Sequence, residues 1–287
     1  MEGTPLKIVE CPRDAMQGWP HIISTAKKLE YLHALLKVGF HTLDFGSFVS
    51  PKAIPQMADT KDIVKQLDMA GSKTKLLAIV ANERGAQDAV VFDEISFLGF
   101  PFSVSETFQQ RNTGSSIAGS LERVEEIQNL CIKNRKELVV YISMGFGNPY
   151  GDDYNEQIVF DWVNKLVNMD IKIISLADTV GIATAAQVER MTKYLLGLLP
   201  QTEIGVHLHS TSENWEAKLD AAFNAGCRRF DGALKGIGGC PMAGNDLVGN
   251  MDTERMLSYF KNKEIAPILN EEALQECVLL AGEIFRS

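Results

Sequence analysis

The 287-residue sequence predicts a closed (β/α)8 TIM barrel, on three observations. Short apolar runs alternate eight times with amphipathic helical stretches, a pattern that implies parallel strands joined by right-handed crossovers. The joins repeat: Leu36-Lys37-Val38-Gly39, Val167-Asn168-Met169-Asp170 and Phe223-Asn224-Ala225-Gly226 lead into strands carrying Asp44, Asp178 and Asp231. No Gly-x-Gly-x-x-Gly follows an early strand, so the rival open, doubly wound sheet lacks its fingerprint. Residues 1–287 read as a single barrel domain of ordinary size, including a helical tail from about residue 265. No linker or low-complexity segment divides it.

Lys7 to Cys11 is a short β-like run broken at Pro12, with Arg13-Asp14 just beyond. Leu29, Leu32, Leu35 and Leu36 mark a helix that Gly39 ends. His41–Phe48 reads as a strand running into the loop Ser47-Phe48-Val49-Ser50-Pro51-Lys52. Helix 60–69, strand 75–81 and helix 83–91 follow, then strand 94–102 and a polar loop through Gly114. The amphipathic stretch 116–134 leads to strand 137–143, and helix 156–169 to strand 171–177. Helix 184–198 precedes strand 203–209, and helix 213–225 precedes strand 228–234. A helix over 252–262 and the tail complete the chain.

A net charge of −9 argues against general affinity for nucleic acid or anionic membranes. Hydrophobic residues at 45% suit a globular enzyme, and no uncharged apolar stretch is long enough to span a bilayer. Five cysteines without framework spacing, and no basic-apolar leader, point to a reducing, cytoplasmic setting.

The densest chemistry lies at Glu203-Ile204-Gly205-Val206-His207-Leu208-His209. Alternation along a strand puts His207 and His209 on one face, where both imidazoles can reach one ion. In a barrel of this class the site gathers at the C-terminal strand ends. Those ends supply Arg13-Asp14, Asp44, Asp178-Thr179, the two histidines and the loop Gly236 to Pro241, with Asn250 beyond. Imidazoles with carboxylate and amide oxygens form a mixed nitrogen and oxygen set that suits Mg²⁺ or Mn²⁺. Zinc fits less well, because Cys240 follows three glycines in a pliant loop better read as catalytic. His21, His33 and His41 fall away from these ends and read as structural. Cys131 and Cys227 read as buried fillers, and Cys277 carries no signal.

Five motifs in order extend the reading. They are Cys11-Pro12-Arg13-Asp14-Ala15-Met16-Gln17, Ser47 to Lys52 with Pro55-Gln56-Met57, Ala177 to Gly181, Val206 to His209, and Gly236 to Pro241, within a match that runs from roughly residue 7 to 260. Together they resemble the 3-hydroxy-3-methylglutaryl-CoA lyase family, metal-dependent barrels related to isopropylmalate and citramalate synthases. The resemblance implies cleavage of 3-hydroxy-3-methylglutaryl-CoA, or a close 3-hydroxyacyl-CoA, to acetyl-CoA and a keto acid. It implies that Asp14, His207, His209 and Asn250 bind the divalent cation. It further implies that Arg13 meets the enolate charge and that Cys240 exchanges a proton. Asp44 and Asp178 join this catalytic set, and Gln17, Ser47 and Thr179 are expected at the substrate. The expected partners are a small acyl-CoA and a second copy in a homodimer, with no nucleic acid and no membrane. Two alternatives stand beside this reading: an acetyl-CoA-dependent condensing synthase and a non-catalytic acyl-CoA-binding barrel.

The chain departs from the family pattern in four places. Asp44 stands where Glu is usual, and Ser210 where Asp is usual. One residue is missing between Glu10 and Arg13, and one is added between Cys240 and Asn250. These departures predict lyase chemistry with a site not optimal for hydroxymethylglutaryl-CoA.

Overall fold

The structure, a computed structural model, describes residues 4–239 and 248–286. Cys240, assigned above to proton exchange, lies outside the described residues. Eight strands close on themselves as a parallel barrel: β1 (Lys7–Glu10), β2 (Thr42–Ser47), β3 (Lys75–Ile79), β4 (Ile95–Ser103), β5 (Glu137–Ser143), β6 (Ile173–Ala177), β7 (Glu203–His207) and β8 (Arg229–Gly232). Each strand pairs with the next, and β8 returns to β1 with Val9 opposite Asp231.

The outer layer comprises α2 (Thr25–Val38), α3 (Thr60–Val64), α4 (Glu83–Val90), α6 (Ile117–Lys133), α7 (Glu156–Asn168), α8 (Ala185–Leu198), α9 (Trp215–Asn224) and α10 (Thr253–Asn262), with α1 (Pro12–Gln17) and α5 (Glu106–Thr113) in the loops after β1 and β4. Helix starts follow side-chain chemistry. Ser24, Asn82, Ser116, Asn155 and Asp252 each accept from a backbone N–H in the first turn, and Thr184 with Gln187 forms a capping box. Gly39 stops α2 in the left-handed region, at φ 90°. A final helix, α11 (Glu271–Ile284), packs on α2 and closes the ring.

Most of the core lies between strands and helices, so the strands are apolar on both faces. A smaller cluster of Leu77, Ile79, Phe97, Val139, Tyr141 and Ile173 fills the barrel interior. Below it Arg229 meets Glu203, which also pairs with Lys7. Gly205 admits Arg229 there, since a Cβ at that position would stand 2.9 Å from the arginine Cδ. Charge buried at the floor leaves the opposite rim as the place for a site.

Two helices were not legible in the sequence. Residues 12–17 form α1, with Pro12 in its first turn, and residues 106–113 form α5 where a polar loop was expected. Helix α5 buries only Phe108 and Gln109, so it has no apolar periodicity to read. Ser105 caps it, and Gly114 ends it at φ 63°. The strand expected over 203–209 stops at His207, which changes how His209 is held. Among the described residues no helix is long and apolar enough to cross a membrane.

Candidate active site

Arg13 and Asp14 stand on α1, directly above the end of β1, and both are buried. His207 ends β7, and His209 lies two residues further on. The chain after β8 returns to meet it: Asn250 forms an antiparallel bridge with His209. Met251 N donates to Leu208 O and Ser210 N to Gly249 O, each at 3.0 Å. The predicted set is thereby assembled from three distant segments. Ligand atoms of Asp14, His207 and His209 all lie within 4.8 Å of one another.

Asn250 is oriented by its amide nitrogen, which donates to Asp14 Oδ2 at 2.7 Å and Ile237 O at 2.9 Å. Its Oδ1 is buried and, among the described residues, has no hydrogen-bond partner. A buried amide oxygen without a partner is costly, and a bound cation would satisfy it. Gly238 permits this approach: at φ 104° it takes a left-handed conformation, and a Cβ there would lie 2.5 Å from Asn250 Nδ2.

The charge states also suit a cation. Burial opposes ionisation of Asp14, but Arg13 and His207 outweigh it and hold the carboxyl at about 2. Burial, reinforced by His207, pushes His209 down to about 4, so its imidazole is neutral and free to ligate. For His207 burial works the other way from its neighbours, and Asp231 beside it moves the ring above the ordinary range, so a cation held there must displace a proton from that ring. Two nitrogens and two oxygens, one of them anionic, fit a hard or borderline divalent ion.

Arg13 is clamped from both sides. Its Nε lies 3.2 and 3.1 Å from the two Asp44 oxygens, and its Nη2 donates to Asp44 Oδ2 at 2.6 Å. Its Nη1 donates to Asp14 Oδ1 at 2.8 Å and Gln17 Oε1 at 2.9 Å. Asp44 sits in the middle of β2, where burial pushes its carboxyl up to about 6 against the pull of Arg13. A cavity of about 320 Å³ opens beside this group. Arg13, Asp14, His207 and His209 line its polar end, and Val49, Ile54, Ile79, Pro101 and Phe108 its apolar walls.

Of the expected substrate contacts, Gln17 and Thr179 line this cavity, and Thr179 Oγ1 also accepts from Met144 N at 2.9 Å. Ser47 and Asp178 are not among the lining residues. Ser47 Oγ instead accepts from Val49 N at 3.2 Å, pinning its own loop. Asp178 is buried against Lys218, whose Nζ donates to Asp178 Oδ2 at 2.7 Å and to His209 O at 2.8 Å. Burial raises Asp178 above the usual carboxylate range, and Lys218 opposes the rise.

Lys218 and Asp231 went unassigned in the sequence. Lys218 lies on the inward face of an ordinary amphipathic helix. Asp231 was visible as a strand-end acid, but only the β7–β8 register places it opposite His207. Of the histidines set apart from the site, His33 Nε2 lies 3.2 Å from Gln66 O and His41 Nδ1 2.8 Å from Thr42 Oγ1, while His21 is exposed at the surface.

A family model described as HMGL-like matches residues 6–278. The chain belongs to the HMGL-like family. A relative in Bacillus subtilis, hydroxymethylglutaryl-CoA lyase YngG, is 32% identical to this HMGL-like chain over 266 residues, 92% of it and 87% of the relative. The 3-hydroxy-3-isohexenylglutaryl-CoA/hydroxymethylglutaryl-CoA lyase of Pseudomonas aeruginosa is 30% identical over 94% of this chain and 89% of its own length. Among solved structures, an HMG-CoA lyase from Acinetobacter baumannii in complex with coenzyme A and 3-methylmalate superposes with a TM-score of 0.90. It is 30% identical, with 98% of this chain and 91% of that one covered. The resemblance read from five motifs therefore extends through nearly the whole HMGL-like chain.

Proposed function

We propose that the protein is a divalent-cation-dependent carbon–carbon lyase. It cleaves 3-hydroxy-3-methylglutaryl-CoA, or a close 3-hydroxyacyl-CoA, to acetyl-CoA and the matching keto acid, acetoacetate in the first case. The observation that carries this reading is the meeting of Asp14, His207, His209 and the unpartnered Asn250 Oδ1 beside the clamped guanidinium of Arg13. Named activities of the relatives and the coenzyme A bound to the solved neighbour support an acyl-CoA substrate.

In the reaction the tertiary hydroxyl gives its proton to the acid/base assigned to Cys240, its oxygen becomes the keto acid's carbonyl oxygen as the C2–C3 bond breaks, and the electron pair of that bond moves into the thioester as an enolate. That enolate then takes a proton at carbon to give acetyl-CoA. Asp14, His207, His209 and Asn250 would hold the cation, Mg²⁺ or Mn²⁺, which when bound acidifies and orients the hydroxyl. Arg13, fixed by Asp44, Asp14 and Gln17, presents a guanidinium that cannot lose its proton to the substrate and meets charge forming on the thioester oxygen. The apolar walls exclude water from the enolate. Cys240 is assigned the proton that completes acetyl-CoA, on its place in the family's cysteine loop. Asp178 acts at one remove, through Lys218 and the His209 carbonyl. We further assign residues 1–287 to one catalytic domain, working as a cytoplasmic homodimer with neither nucleic acid nor membrane as a partner.

The test is direct. Pure protein with Mg²⁺ or Mn²⁺ and a panel of 3-hydroxyacyl-CoA esters should release acetyl-CoA, and excess chelator should abolish the release. Full turnover in chelator would sink the cation assignment. Acetyl-CoA consumption with a 2-oxo acid would favour the synthase.

A further inference from the structure

His207 has a neighbour that the proposed chemistry does not use. Strand β8 runs parallel to β7 with Asp231 in register with His207, and Asp231 Oδ2 lies 3.3 Å from His207 Nδ1. Asp231 is 2% exposed, and its other oxygen, Oδ1, is buried and has no hydrogen-bond partner among the described residues. Among the described residues, the His207 ring is the one hydrogen-bond partner of this carboxylate. An ionised carboxylate so placed is expensive to bury, and an apolar side chain of similar size would stabilise the strand better. Packing therefore does not account for it; its contact with His207 does.

We propose that Asp231 is the positioning residue of the cation site, fixing the tautomer and ring orientation of His207. The argument rests on the cation reading above and on hydrogen-bond chemistry. A carboxylate can only accept, so Nδ1 must carry the proton. In the neutral ring that a bound cation requires, Nε2 is then the unprotonated nitrogen and the one left to ligate beside Asp14 and His209. Without Asp231 the ring is free to take the other tautomer, or to turn, and one ligand of the set is lost for part of the time. Cys11 is the other group that could compete for the ring, since its Sγ is also within 4.8 Å of the His207 and Asp231 ligand atoms. Its thiol, however, is turned to Val9 O at 3.7 Å, and a thiol is a far weaker acceptor than a carboxylate.

The experiment measures the cation and the tautomer rather than turnover. Mn²⁺ binding to the full-length protein, followed by electron paramagnetic resonance, should weaken by roughly 10- to 100-fold in Asp231→Leu, the usual effect of removing a ligand's outer partner. Asp231→Asn, which keeps an acceptor but not the charge, should fall between that variant and the wild type. Cys11→Ala should bind as the wild type does. In parallel, histidine-¹⁵N spectra of the Mg²⁺-loaded wild type should show His207 protonated at Nδ1 and not at Nε2, a measurement that needs no variant to fold. Wild-type affinity in Asp231→Leu, or a proton on Nε2, overturns the proposal while leaving the cation assignment intact. A wild type that binds no Mn²⁺ removes that assignment and this inference with it.

Discussion

The clamp on Arg13 makes the Asp44 position the sharpest test of the mechanism. Two variants separate charge from length. Asp44→Glu keeps the charge but adds one methylene, about 1.5 Å of reach. The site has no slack for it: Asp44 is 1% exposed, and its oxygens already touch Nε and Nη2 of Arg13, at 2.6 Å in the closest case. The guanidinium must move while Asp14 and Gln17 hold its other end at 2.8 and 2.9 Å. A displacement near 1 Å where geometry is catalytic lowers the rate by about 10²-fold, equivalent to about 2.7 kcal/mol in the barrier. Overpacking adds about 1–3 kcal/mol of lost stability. Asp44→Asn keeps the volume but presents an NH₂ group to guanidinium donors. It should lose a similar factor in rate and, as a broken buried pair, about 3–5 kcal/mol of stability. Initial rates of acetyl-CoA release under saturating Mg²⁺ give kcat and KM, and urea unfolding gives stability. The loss should fall on kcat, because the guanidinium acts on charge that appears only in the transition state. In Asp44→Glu the ratio of kcat/KM between hydroxymethylglutaryl-CoA and bulkier esters should also shift. Wild-type kcat in both variants, with folds intact, would refute the clamp.

Other outcomes follow from the buried charges. Glu10 is fully buried between Leu234 N (2.9 Å) and Thr253 Oγ1 (2.6 Å), and burial pushes its carboxyl from 4.5 to about 8. The fold thus prefers it protonated: this stability is present below about pH 4.5 and drains away as pH rises to about 8, by up to about 1.4 kcal/mol per unit. Asp44 drifts the same way but only to about 6, so between about pH 6 and 8 the fall in unfolding free energy belongs to Glu10 together with His207, and Glu10→Gln should remove the Glu10 share and make the fall shallower. Lys218→Met strands Asp178 and should cost about 3–5 kcal/mol in urea unfolding. Adding Asp178→Leu should recover part of that loss; no loss in the single variant would mean the pair is dispensable. Cys240→Ser should keep fold and Mn²⁺ binding yet lose most turnover, since a hydroxyl is a much weaker acid than a thiol of pKa near 8.5. An unaltered rate would move the proton transfer elsewhere.

Sequence alone determined the barrel, because strand and helix periodicities are local and eight alternating units have one economical closure. It also determined Arg13, Asp14, His207 and His209 as a group, since each lies within a few residues of a strand end. It could not show α5, whose eight residues carry no apolar period, although Phe108 brings that helix to the cavity wall. It placed His209 on the strand, whereas a bridge to Asn250 holds it just beyond. Tertiary structure alone decided that Asp44 grips Arg13 from mid-strand, that Asp178 turns to Lys218, and that Asp231 faces His207. The reason is common to all three. Which acid meets which base depends on the stagger of neighbouring strands and on how deeply each helix sits, and both are fixed by packing of residues far apart in the chain.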